Sequence, residues 1–275
     1  MKYSERTYNK SESCVFRKTK EAFGGLSNMA AGFPLEVDGI RILTSEALYQ
    51  ACRYPHLADV QKEIIAQHSP MTAKMKSKAH YLQTREDWED IKVHVMRWSL
   101  RVKLAQNFLT FGQVLETTLG KNIVEESRKD TFWGTLKIDD NTWLGVNALG
   151  RLLMELREIY CSEQRFNLLY VPPLDIPDFT LLSKEIGPVD CRPKFIETLL
   201  RGWEKSSPGL EIVPAQLPHL NIAESREMVS DKAIGENNQE PSNTAQVAKQ
   251  SKAKARVRKK AEAVNLPLLD PVVTP

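Results

Sequence analysis

Apolar residues recur along this chain with two periods, which divide it into helical and extended stretches. After Asp87, the residues Trp88, Ile91, Val95, Trp98 and Val102 stand three or four apart, predicting the longest helix, with Arg97, Arg101 and Lys103 projecting elsewhere. Leu149, Leu152, Leu153 and Leu156 repeat the pattern behind Asn147, a good N-cap, with Arg151 and Glu155 as an i,i+4 pair on the outer face. Val60, Ile64 and Ile65 mark a shorter helix, Ser69-Pro70 starts another, and Leu109–Leu119 forms one closed by Gly120. The period falls to two in Leu35–Ile42, around Asp38-Gly39, which reads as a β-hairpin with a tight turn. Val15-Phe16 and Ile123-Val124 read as short strands.

The hairpin delivers the chain into Thr44–Pro55, a short helix capped by Thr44 or Ser45 and ended by Pro55. Glu46, Gln50 and Arg53 fall at i, i+4 and i+7 on one face, while Leu48, Ala51 and Cys52 pack inward. Such a helix either walls a site or shows a solvated polar face with a first-turn carboxylate at the positive end of its dipole. The spacing leaves both readings open.

Between these elements the chain is polar or turn-rich. Residues 1–15 are expected to be flexible, Gly24-Gly25 allows positive φ or a close backbone approach, and Asp139-Asp140-Asn141 marks a turn. Glu125, Glu126, Asp130, Phe132 and Trp133 are expected in a loop, the kind of segment that often carries function. After about Ser162 the composition changes. Residues 170–218 are proline-rich with a helix from Pro193 to Trp203, residues 221–250 are polar and expected to be disordered, and Lys252–Lys260 is a basic run. That run reads equally as a phosphate-contacting tail and as a solubilising one.

Composition narrows the chemistry. The 275 residues, 41% hydrophobic, are enough for a good core, and a net charge of +3 does not make a polycation. The four cysteines form no CxxC pair and read as cytosolic thiols. Met1–Arg6 starts no apolar run and no stretch is long enough for a membrane span, so a cytoplasmic protein without membrane contact is expected. There is no Walker loop, GxGxxG, HExxH or GxSxG, and the five histidines show no ligand spacing, so no metal or cofactor is expected. What remains is Glu46, Glu125 and Asp130 for acid–base work, Arg53, Lys103 and Lys74/Lys76/Lys78 for anions, Phe132 and Trp133 for stacking on a base, and the amides of Asn28 and Asn147. That set suits cleavage of a glycosidic bond, and equally the plain binding of a nucleotide.

The order of several short motifs is more specific than any one of them. Leu26-Ser27-Asn28, Thr44–Ala51, Ser69-Pro70-Met71, Val95-Met96-Arg97 with Lys103, Val124-Glu125…Asp130, Trp133-Gly134, Gly145–Gly150 and Leu153–Arg157 resemble the NADAR family from about Phe16 to Glu158. The resemblance implies a single compact α+β domain, predominantly α-helical, here with a C-terminal extension. Its expected division is a flexible N-terminus (1–15), a catalytic domain (16–162), an accessory segment or small subdomain (163–220) and a polar and basic tail (221–275). It implies action on N-glycosidic bonds of phosphoribosyl or ADP-ribosyl compounds. Some members act on early riboflavin intermediates, and others reverse ADP-ribosylation of guanine in nucleic acid and pair with DarT-type toxins. By motif position the resemblance gives site roles to Glu46, to Glu125, Asp130 and Trp133, and to Asn147 with Gly145 and Gly150; with the residues read from their chemistry, the expected set is catalytic Glu46, Glu125, Asp130 and Lys103 and substrate-binding Asn28, Gln50, Arg53, Lys74, Trp133, Gly145 and Asn147.

Two departures bear on these roles. Arg53 stands where other members carry a lysine, and a guanidinium cannot form a Schiff base with an opened ribose, though it can clamp a phosphate. Any amine nucleophile must then be Lys103 or one of Lys74, Lys76 and Lys78. Leu136 stands where many members have a second glycine after Trp-Gly. Arg53 and the basic tail favour an ADP-ribosylated nucleic acid as substrate, with a DarT-type toxin as companion. The alternatives are an N-glycosidase on phosphoribosylated riboflavin-pathway intermediates, or a non-catalytic module binding ADP-ribose or a toxin.

Overall fold

The computed structural model of the chain describes residues 4–206. It is an α+β fold dominated by helices. In chain order the elements are β1 (Arg6–Asn9), β2 (Ser13–Phe16), β3 (Leu35–Val37), β4 (Ile40–Ile42), α1 (Ser45–Ala51), α2 (Ala58–Ile65), α3 (Pro70–Ala79), α4 (Trp88–Gln106), α5 (Phe108–Glu116), β5 (Asn122–Ser127), β6 (Thr135–Lys137), β7 (Thr142–Gly145), α6 (Ala148–Tyr160), β8 (Tyr170–Val171), β9 (Thr180–Leu181), β10 (Lys184–Glu185), β11 (Val189–Asp190) and α7 (Arg192–Ser206). The 221–275 tail and its basic run lie outside the described residues.

Five strands form one mixed sheet in the order β1-β7-β6-β5-β2, with β5 parallel to both β2 and β6 and the other pairs antiparallel. Strand alternation decides which side of β5 does what. Ile123 joins the main core under the helices, whereas Val124 packs with Tyr8 and Trp143 on the opposite side. Glu125 therefore points to the helical side and Glu126 away from it.

The hairpin forms as its pattern predicts. Asp38 and Gly39 both adopt positive φ, at 49° and 77°, which matches the right-handed twist of β3 and β4. All five predicted stripe residues of α4 are buried, as are the four leucines of α6. The helices pack as two groups that meet at α4: α1 with α2 and α3, and α4 with α5 and α6.

Four local expectations are corrected. Residues 1–15 are held rather than flexible from Arg6 onward, because Tyr8 on β1 is buried against Trp143 and Val124. Glu125 and Glu126 lie on β5, not in a loop, since the pairing with β6 runs on to Ser127. Arg151 and Glu155 do not pair with each other: Arg151 donates to Tyr8 Oη and Ser4 O, and Glu155 accepts from Arg97. Lys103 does not project outward but is fully buried. After α6, Leu168, Phe179, Leu181 and Phe195 enter the same core as the helices before them, with Phe179 edge-on to Trp98 and Phe195 edge-on to Phe108.

Candidate active site

The site begins with the anchoring of α1. Thr44 Oγ1 accepts from Ala47 N, capping the helix. Asn28 ties the preceding loop to the same turn: its carbonyl accepts from Glu46 N, and its Oδ1 accepts from Ser45 Oγ at 3.0 Å. Every residue of α1 is buried, including Glu46 and Gln50. The polar face is therefore not solvated, and each polar atom on it needs a partner.

Those partners form one chain. Gln50 Nε2 donates to Glu46 Oε1 at 2.9 Å. Gln50 Oε1 accepts from Ser77 Oγ at 2.6 Å and from Arg53 Nη1 at 3.3 Å. Two donors on the oxygen leave the amide one orientation, with its N–H towards Glu46. Ser77 is fixed in turn by the Tyr54 hydroxyl, which donates to its carbonyl. Arg53 reaches Thr84 Oγ1 with Nη2 and stacks over Trp88 at 5.1 Å and Tyr81 at 5.9 Å. Among the described residues it has no carboxylate partner, and its Nε is buried without any hydrogen bond.

The opposite wall comes from β5 and the turn after it. Asp130 Oδ1 accepts from the amides of Phe132 and Trp133, at 3.0 and 2.8 Å, and so sets the aromatic pair. Trp133 is edge-on to Tyr49 at 5.7 Å and Phe132 at 5.1 Å, and Tyr49 leans on Trp88 at 5.1 Å. The rings of Phe132, Trp133, Tyr49, Trp88 and Tyr81 thus make a continuous row, with Arg53 between the last two.

Glu125 is half-buried at the foot of this wall, and its carboxyl is pushed up to about 7. Burial is the main cause and the charge of Glu46 the next, with Lys74 opposing and Asp130 adding. The Tyr49 phenol is also pushed up, by burial first and then by Glu46. Glu46, Glu125, Asp130 and Lys74 therefore share one electrostatic neighbourhood. Glu126 is outside it, held by Arg17 and Trp143 Nε1.

Asn147 and Gly145 shape this wall from behind. Asn147 is not a side-chain cap: it sits at φ 55° and uses its amide to accept from Glu125 N and donate to Ile123 O. Gly145 allows close packing, since a Cβ there would lie 2.7 Å from Gly134 O. Lys103 is not part of the group. Its ammonium donates to Gly25 O and Ser27 O, at 3.0 and 3.1 Å, and lies over the rings of Phe33 and Phe111. Burial alone lowers its pKa, to about 7, with no contribution from Glu46 or Glu125.

Tyr49, Ser77 and Trp88 belong to the site without having been singled out as site residues. Tyr49 lies three residues after Glu46 within the same motif, which was the available signal. Trp88 read only as core, and Ser77 carries no signal before folding. A surface cavity of about 760 Å³ lies elsewhere, between the β3–β4 hairpin, the α4–α5 junction and the start of α7. Among the described residues no three His, Cys, Asp or Glu side chains converge to hold a metal, and no helix is long and apolar enough to cross a membrane.

The NADAR domain model matches residues 15–160. N-glycosidase YbiA of Escherichia coli (strain K12) is 37% identical over 149 residues, covering 54% of this chain and 89% of that protein. Riboflavin biosynthesis protein VVA0006 of Vibrio vulnificus (strain YJ016) is 31% identical over 169 residues, 61% of this chain and 44% of that protein. The NMR structure of E. coli YbiA aligns with a TM-score of 0.46 at 34% identity, over 53% of this chain and 83% of that one.

Proposed function

The chain belongs to the NADAR family, and from that premise we propose that it is a cytoplasmic N-glycosidic-bond hydrolase that removes ADP-ribose from guanine bases of nucleic acid. The observation that carries this reading is the pairing of Glu46, oriented by Gln50, with Glu125, whose proton is retained up to about pH 7. When a base leaves a ribose, an oxocarbenium-like centre forms, which a carboxylate stabilises while an acid protonates the leaving nitrogen. Glu125 gives its proton to the departing base, and Glu46 faces the anomeric carbon. Water adds there and returns a proton to Glu125. Asp130 keeps the half-buried Trp133 set to stack on a base, with Tyr49 packed behind it. Arg53, which has no carboxylate partner among the described residues, takes the pyrophosphate with Lys74 beside it. Should ribose opening use an amine, Lys74 is better supported than Lys103, because its charge reaches Glu125. The modification itself would come from a DarT-type toxin.

A second reading is favoured by the names of relatives such as the Vibrio riboflavin biosynthesis protein: cleavage of a phosphoribosylated riboflavin-pathway intermediate. One experiment separates the two. The protein is incubated with guanine-ADP-ribosylated DNA and, in parallel, with a ribosylated pyrimidine intermediate. Release of ADP-ribose and unmodified guanine is expected. An adduct still intact after long incubation, with turnover of the pyrimidine, would overturn the first reading. Full biological protection by Glu46→Gln would instead indicate a binding module without turnover.

A further inference from the structure

α3 buries one face and presents another that is unusual for a solvent-exposed helix. Ala73 and Ser77 face the core, while Met71, Lys74, Met75 and Lys78 stand at i, i+3, i+4 and i+7 on the outside. The 3-10 turn that follows adds Tyr81 and Leu82, the latter 95% exposed. Thioether and aromatic groups thus alternate with ammonium groups along one outward strip. Two residues of the strip bear on the candidate site. Lys74 acts on Glu125, and the Tyr81 ring lies 5.9 Å from the Arg53 guanidinium.

Charge decides what such a strip fits. The acids between Ser69 and Trp88 are Glu86 and Asp87, and Asp87 is clamped by Arg85. Glu63 on the neighbouring α2 is taken up by Lys76 and His80. Among the described residues Lys74 and Lys78 have no such partner and remain available to an anion. Cations spaced along a line with adaptable apolar groups between them suit a polyanion with exposed planar faces. That is the description of a single-stranded nucleic acid, whose backbone follows the charges while unpaired bases lie on the apolar groups. A duplex hides those faces.

We infer that the outward strip of α3 and the turn after it is the surface on which a single-stranded nucleic acid lies while its modified base enters the site. This rests on the reading above that the substrate is nucleic acid, and it adds where the strand runs and why it is unpaired. Lys78 pairs with the strand's phosphates while Lys74 serves the modified nucleotide, and the flanking bases rest on Met71, Met75, Tyr81 and Leu82.

The test combines Met75→Ser, Lys78→Glu and Leu82→Ser in the full chain, since these exposed side chains make no hydrogen bond to any described residue. Two substrates are compared: a guanine-ADP-ribosylated single-stranded oligonucleotide and ADP-ribosylated guanosine. The variant should lose at least about fivefold in kcat/KM on the oligonucleotide, the scale of one lost base stack, with a shallower salt dependence and unchanged turnover of the nucleoside. An equal loss on both substrates, or no loss on either, would overturn the inference. If the wild type cleaves neither substrate, the functional reading fails, and affinity for a fluorescein-labelled unmodified oligonucleotide decides the surface on its own. Weaker binding by the variant supports it. Equal affinity overturns it and leaves the strip to a protein partner.

Discussion

Two groups in this protein are driven to nearly the same pKa, and only one of them stands at the candidate site. Lys103 and Glu125 are each brought to about 7 chiefly by burial, one from above and the other from below. Lys103 sees two carbonyl oxygens and two ring faces, all of them satisfied by its ammonium. Glu125 sees a second carboxylate, a lysine and a further acid, the Asp130 that sets the Phe132–Trp133 pair. Burial sets the proton affinity in both places. What distinguishes a working group from a fastening is unbalanced charge around it together with exposure to a ligand.

The sharpest way to break this comparison is to neutralise each group in turn. Glu125→Gln should lower the single-turnover rate on the adduct by about 10²–10⁴-fold, the usual loss for a general acid. Lys103→Met should leave the rate of the folded fraction near that of the wild type. It should lower stability by about 1–3 kcal/mol in denaturant titration, because the carbonyls of Gly25 and Ser27 lose their donor. A collapse of the rate in Lys103→Met without loss of stability would return that lysine to the catalytic set.

The same pair makes opposite predictions about stability and pH. For Glu125 the folded pKa exceeds its ordinary 4.5, so the native state binds more protons between about 4.5 and 7 and stability falls as pH rises through that window. For Lys103 the folded pKa is below its ordinary 10.5, so the unfolded state binds more protons between about 7 and 10.5 and stability rises there. Melting curves across pH should show Glu125→Gln removing the first slope and Lys103→Met the second.

Two smaller effects concern the helix that carries Glu46. Arg53→Lys loses the planar stack between Trp88 and Tyr81 and the fork that grips a phosphate, so KM should rise by about tenfold with less change in kcat. Ser77→Ala frees the Gln50 amide to turn over. It should cost about 1 kcal/mol in stability, with a modest fall in kcat. Loss of binding without loss of rate in Ser77→Ala would show that the amide does not act through Glu46.

Much of the frame was legible beforehand because period and turn chemistry state it directly. The α4 and α6 stripes, the Asp38-Gly39 hairpin and the Thr44 cap all follow local rules. Tertiary context decided the rest. Lys103 read as a surface cation because a lysine is rarely buried, and only the carbonyls of a distant loop make its burial tolerable. Asn147 read as a cap because of its residue type, but the left-handed backbone there turns its amide onto β5. Glu125 and Glu126 looked equivalent until the strand sent them to opposite sides. The partners that orient Glu46 come from α1 and α3, so Ser77 gave no sign of its role in the linear chain.

The most direct test of the account is the pH dependence of the single-turnover rate on a guanine-ADP-ribosylated oligonucleotide, measured for the wild type and Glu125→Gln. The wild-type rate should hold on the acid side and fall as pH rises through about 7, and Glu125→Gln should be slow at every pH. A wild-type rate flat across that range, or a Glu125→Gln variant with the wild-type rate, would contradict it.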